Sequence, residues 1–206
     1  MAPLVLNRSG MTHDLTVRFL GVRGSIAVPN MAAGGNTACV EVVAGDTRII
    51  LDAGTGLRAL GNERMAGGPR HSTILLSHLH WDHVQGLPFF VPGFIPGHRV
   101  VIHGSHTGLE AALRRQQAQP SFPVDFDTIF GGRVQFRQLE PDIVHEVAGV
   151  RVRTMLQRHG GDSYGYRFEA QGRTVVYTTD SEHPLAEAAH TERFVEFFHD
   201  ADLVIF

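Results

Sequence analysis

The segment Ser77-His78-Leu79-His80-Trp81-Asp82-His83 constrains this chain more than any other stretch. It sets four metal-ligating side chains within six residues, directly behind the short apolar run at residues 72–77. Such a run suits a strand buried on both faces. Residues i and i+2 of extended backbone share a side, so His78 and His80 can reach one ion together. A turn into helix after Trp81 swings Asp82 and His83 toward a neighbouring position. One segment can then feed two metals lying close together. Imidazole and carboxylate without thiolate suit zinc, manganese or iron rather than a cysteine-rich structural site.

The rest of the chain supplies a frame for that segment. Its 206 residues fit one domain, with 43% hydrophobic and 19% charged residues marking it as globular. A formal net charge of −3 argues against a generic polyanion binder. The single cysteine, Cys39, excludes an internal disulfide. No apolar run is long enough for a membrane span, and residues 1–10 lack the core of a signal peptide. The expected location is therefore cytoplasmic. Residues 1–15 are expected to be disordered, with the domain over 16–206.

Strands are predicted at residues 16–22, 38–43, 47–51, 72–77, 99–103, 134–139, 150–156, 164–169, 174–178 and 201–206. Helices are predicted at 57–65, 84–90, 107–117 and 184–198, and residues 119–132 read as an aromatic, loop-rich stretch. Ala44-Gly45-Asp46 and Gln171-Gly172 read as hairpin turns. Strands both in hairpins and separated by helices favour α/β layers with mixed sheets. Residues 44–52 and 170–180 echo one another as turn, strand and then an aspartate, Asp52 or Asp180, which hints at a two-half plan.

The H-x-H-x-D-H motif after an apolar strand resembles the signature of the metallo-β-lactamase fold superfamily. Its continuation, His80-Trp81-Asp82-His83-Val84-Gln85-Gly86-Leu87-Pro88-Phe89-Phe90, resembles the phosphodiesterase-like branch. Ribonuclease Z, class II cyclic-nucleotide phosphodiesterases and a cyclic ribose-phosphate phosphodiesterase belong to that branch. Gly21-Val22-Arg23-Gly24-Ser25-Ile26, Gly34-Gly35-Asn36-Thr37 and Leu51-Asp52-Ala53-Gly54-Thr55-Gly56 are similar to the opening of its bacterial members.

The resemblance implies an α/β fold, a four-layer αββα sandwich with two mixed β-sheets. It also implies two divalent metal ions at one sheet edge, Zn2+ first, with Mn2+ or Fe as alternatives. The implied ligands are His78, His80, Asp82, His83, His159 and Asp180. His159, before Gly160-Gly161, looks like the third histidine of the first site, and Asp180 like the bridging carboxylate. Asp52 matches the superfamily's first aspartate and is expected to orient the histidine loop without binding metal. The family adds a last histidine downstream of the final strand, whereas this sequence runs to Phe206 without one. Either the domain lacks its C-terminal segment or the second site is rebuilt, with His183 as a substitute.

Two ions bridged by Asp180 and a hydroxide would acidify water and clamp both oxygens of an in-line displacement. The expected protein is a binuclear metallohydrolase, a phosphodiesterase acting on a small cyclic or linear phosphodiester, a nucleotide-like molecule or an RNA end. Long nucleic acid is a weaker expectation, because no basic arm is found. Asp82 is the catalytic assignment, protonating the leaving oxygen, with a histidine such as His103 as the other candidate. His103 and His106 flank Gly104-Ser105 at a strand end and are candidates to line the pocket. Phe89, Phe90 and Phe94 read as core or pocket wall. The alternatives are a carbon-ester hydrolase (lactone, thioester or β-lactam) and a non-catalytic binding module. A homodimer is an expectation from the resemblance alone.

Overall fold

The computed structural model describes residues 4–6, 15–29, 31–68, 70–184 and 187–206. Strands β1 (Leu4–Leu6), β2 (Leu15–Gly21), β3 (Cys39–Ala44) and β4 (Thr47–Leu51) pair in order, all antiparallel. Strands β5 (His71–Leu76), β6 (Arg99–Gly104) and β7 (Val134–Gln138) then continue the sheet in parallel, giving seven strands. The second sheet contains β8 (Val144–Val147), β9 (Val150–Gln157), β10 (Ser163–Ala170), β11 (Arg173–Tyr177) and β12 (Leu203–Ile205). Only the β11–β12 pair is parallel there.

Parallel neighbours need crossovers, and helices carry them. Helix α1 (Gly56–Met65) joins β4 to β5, and the short α2 (Trp81–Val84) with 3₁₀ turns at Leu87–Phe89 and Val91–Phe94 joins β5 to β6. Helices α3 (Leu109–Gln116) and α4 (Phe126–Phe130) lie between β6 and β7. Helix α5 (Ala188–Phe198) leads from β11 to β12.

Side chains alternate across a strand, and that alternation builds the layers. Ile49, Leu51 and Leu75 point between the sheets, where they meet Val152, Tyr166, Phe168, Val175 and Tyr177. Their neighbours Ile50, Ile74 and Leu76 face the other way, onto Leu57 and Leu60 of α1 and Leu109 and Leu113 of α3. In the second sheet Val176 turns outward to Phe194 and Phe197 of α5. Three apolar clusters thus separate helix, sheet, sheet and helix, the four-layer α/β sandwich that the sequence implied. Helix α1 shows the pattern in miniature: Leu57, Leu60, Gly61 and Arg64 are buried, at the spacing of one helical face.

Several elements differ from their sequence reading. Leu4–Leu6 extend the first sheet as β1, although residues 1–15 read as outside the domain. Except for Leu15, the remainder of that stretch lies outside the described residues. The helix expected at 84–90 starts at Trp81 and gives way to 3₁₀ turns, because Pro88 and Pro92 have no N–H to donate. Helix α4 arises inside the stretch read as loop: the Asp125 carboxylate caps it by accepting from the Thr128 N–H, and Gly131 closes it at φ 51°. Strand β8 follows from a hairpin turn at Ala148 and Gly149, both at positive φ (51° and 80°). The helix expected from 184 begins at Ala188, and residues 185–186 lie outside the described residues. No helix among the described residues is long and apolar enough to cross a membrane.

Candidate metal centre

The chain leaves β4, β5, β9 and β11 at one edge of the sandwich, and each exit delivers a polar side chain. Asp52 follows β4, His78 to His83 follow β5, His159 follows β9 and Asp180 follows β11. Asp52 and Asp180 both adopt positive φ, 60° and 53°, so the two echoed segments end in the same backbone turn. Asp180 Oδ2 is the point of convergence. It lies 3.6 Å from Nε2 of each of His78, His83 and His159. His80 Nδ1 stands 3.2 Å from His159 Nε2, and Asp82 Oδ2 stands 3.6 Å from His83 Nε2.

Two groups result, sharing Asp180: His78, His80, His159 and Asp180 in one, and Asp82, His83 and Asp180 in the other. Within each group the donor atoms lie within 4.8 Å of one another. A tetrahedral zinc ion with bonds of about 2.0–2.1 Å separates its ligand atoms by about 3.4 Å, so this spacing fits a metal. The His78 Nε2 atom supplies a second indication. It is shielded from solvent and has no hydrogen-bond partner. A buried polar atom left unpaired is costly, and an ion at this position would remove that cost.

Asp52 organises the donors from beneath. It is fully buried, and its carboxylate accepts from the Ser77 N–H (2.7 Å), the Ser77 hydroxyl (2.8 Å to Oδ2) and the Tyr177 hydroxyl (2.7 Å). It also faces His83 Nδ1 at 2.7 Å, which turns Nε2 of that ring toward Asp180. Ser77 Oγ contacts His78 Nδ1 at 3.0 Å, so one serine ties both rings to one carboxylate. Asp82 is fixed from a different loop: the Ser25 N–H donates to its Oδ2 at 2.7 Å.

The charges follow from this packing. Burial acts to lower the pKa of His83, but the Asp52 charge and the nearby Asp180 carboxylate outweigh it and raise the ring to about 10. His78 goes the other way, to about 4, through burial and then the positive charge of His83. Asp180 is held down at about 2, first by the His83 ring 3.6 Å away. The centre therefore concentrates negative charge at Asp52 and Asp180 beneath and between the rings, which favours a cation.

The structure brings His78, His80, Asp82, His83, His159 and Asp180 together and leaves other candidates elsewhere. His103 sits on β6 and lines a different cavity with Arg137 and His145, so it does not reach this site. His106 reaches the rim, contacting the Gly161 carbonyl at 3.2 Å beside the His159 loop. His183 bonds to Ser181 and stacks against Phe194 and Phe206, joining neither group of donors. The sequence reading gave no role to Ser25, Ser77 or Tyr177. Ser77 was findable in principle, since it sits next to a recognised donor, His78.

Residues 47–206 match the family described as "Beta-lactamase superfamily domain". The chain belongs to the metallo-β-lactamase superfamily. Among curated relatives, ribonuclease Z from Methanopyrus kandleri is 27% identical over 161 residues, covering 77% of this chain and 52% of the relative. The chain spans about half the length of the curated relatives it matches. The metallo-β-lactamase fold protein YhfI from Bacillus subtilis superposes with a TM-score of 0.68 at 21% identity, covering 92% of this chain and 69% of that one. Human tRNase Z, short form, superposes with a TM-score of 0.63 at 18% identity, covering 91% and 76%.

Proposed function

We propose that this superfamily member is a binuclear phosphodiesterase acting on a small phosphodiester or on the end of an RNA. His78, His80, His159 and Asp180 would hold one ion, Asp82, His83 and Asp180 the other, with zinc the best match to the donor set. The observation that carries the reading is the convergence of three imidazole Nε2 atoms on Asp180 Oδ2, each at 3.6 Å. Ions so placed supply acidified water and neutralise charge that builds on phosphoryl oxygens.

The chain's own residues do the remaining work. Asp52 keeps His83 and the Ser77 turn in register, so the donor set is preorganised. Asp82 is assigned two tasks, holding an ion and passing a proton to the leaving oxygen. The Ser25 N–H orients its carboxylate for both. The phosphodiester class is supported by the ribonuclease Z relatives, whose name adds RNA to the candidate substrates.

The test compares an activated phosphodiester, bis(p-nitrophenyl) phosphate, with an activated thioester and a lactone at equal concentration. Turnover of the phosphodiester should dominate, should disappear with a chelator and return with zinc or manganese, and should fall at least a hundredfold in Asp180→Asn. Faster thioester or lactone hydrolysis, or phosphodiester turnover indifferent to chelation, would overturn the proposal.

A further inference from the structure

Trp81 stands between His80 and Asp82 in the metal motif, yet its side chain does something else. It is 67% exposed, and it borders a cavity of about 500 Å³ that none of the six candidate metal ligands lines. That volume falls within the usual range of small-molecule pockets, about 300–1,000 Å³. Phe89 and Phe122 form further walls and meet edge to face, with ring centroids 6.2 Å apart. Phe89 is 52% exposed. Exposed aromatic groups clustered around one cavity mark a binding surface more often than bare solvent contact.

The polar lining narrows the occupant. Arg58 borders the cavity; its backbone N–H donates to the Thr55 carbonyl, but its guanidinium makes no hydrogen bond or ion pair among the described residues. No aspartate or glutamate lines the cavity, so its charge is positive. Gln85 and Gln116 add amide groups, and the Gln116 carbonyl oxygen has no hydrogen-bond partner. A planar aromatic ring with hydrogen-bonding edges, joined to an anion, satisfies all three features. Aromatic platforms accept any base face, and an unpaired guanidinium suits a phosphate.

We propose that this cavity is a nucleotide-binding subsite beside the metal centre, with the base stacked on Trp81 and the phosphate on Arg58. It deepens the phosphodiesterase reading by naming the group that carries the phosphate. It rests on that reading for its purpose, though not for whether a nucleotide binds.

Trp81 is the only tryptophan of the chain, so its fluorescence reports the site directly. Excited at 295 nm, the emission should be quenched saturably by adenosine or cytidine monophosphate, more weakly by adenosine, and not by ribose 5-phosphate. Arg58→Gln should weaken the monophosphate about tenfold and leave adenosine unchanged. Phe122→Ala should weaken both. Asp180→Asn should quench like the parent, which separates failure of this subsite from failure of the catalytic proposal. Absence of saturable quenching by any nucleotide, or quenching untouched by both cavity variants, would overturn the proposal. So would emission that shifts with protein concentration alone while sedimentation shows a dimer, because a second copy would then be the occupant.

Discussion

Asp52 illustrates how one side chain can govern a site it does not enter. Its carboxylate is buried and receives four groups: two from Ser77, one from Tyr177 and one from His83. Its own pKa is lowered, because the His83 charge and hydrogen bond overcome a burial effect that would raise it. Replacing it with asparagine keeps the size but removes the charge beneath His83. Asp52→Asn should cost about 3 kcal/mol in urea unfolding of the metal-free protein. Metal affinity, read by chelator competition, should fall about 10–100-fold. An unchanged affinity would mean that Asp52 is only a structural residue. His103 offers a contrast, being titratable but remote from the donors. Burial, then Arg137 on β7 and His145 on β8, lower its pKa to about 4. The unfolded chain takes up this proton near pH 6.5, the folded one only near 4, so stability from this group is lost as pH falls through that interval. His103→Gln should flatten the fall in melting temperature between pH 6.5 and 4. A slope equal to the parent's would rule out His103 as its source. At this scale the sequence was readable for donors, because H-x-H-x-D-H is a local pattern. It was unreadable for Tyr177, whose hydroxyl reaches Asp52 across 125 residues of chain.

The elements around the site are held by backbone, and glycines set their distance. The turn after β4 and helix α2 are stitched together by Ala53 N–H to the His83 carbonyl (2.7 Å) and Gly86 N–H to the Ala53 carbonyl (2.8 Å). A Cβ on Gly86 would stand 2.0 Å from the Gly54 carbonyl oxygen, and one on Gly54 would stand 2.3 Å from that of Asp82. Neither oxygen can move without moving a donor. Gly86→Ala should therefore destabilise the fold by about 3 kcal/mol and impair metal binding together. Gly24→Ala, where the added methyl meets nothing within 4 Å, should change neither. Equal effects from the two variants would refute the close-approach argument. Strands with alternating apolar faces were legible, as β4, β5 and β11 show. Strand β8 was missed because it is a short edge strand with two exposed valine and glutamate positions and no Asn-Gly or Asp-Gly at its turn. Helix α4 was missed because five residues between glycines and prolines give no period to read.

Across the whole molecule, the donors come from both sheets: His78, His80, Asp82 and His83 from the first, His159 and Asp180 from the second. An ion held by such a set ties the two halves of the sandwich together at their open edge. Unfolding would separate the donors, so binding and folding are linked. At a free metal concentration of 100 times the dissociation constant the linkage is worth about 2.7 kcal/mol. For a domain of this size that corresponds to a melting temperature about 5–10 °C higher. Scanning calorimetry of the metal-loaded protein should show this rise over the chelated protein. Asp180→Asn, which removes the donor common to both groups, should abolish most of it, whereas His106→Ala, at the rim, should keep it. If chelation left the melting temperature unchanged, the convergence on Asp180 would be a network of hydrogen bonds and ion pairs rather than a metal centre. The orphaned Nε2 of His78 would then need another partner. If the rise appears and depends on Asp180, the same ions that stabilise the sandwich also fix the site's geometry, because the sheets cannot shift relative to one another without breaking the donor set.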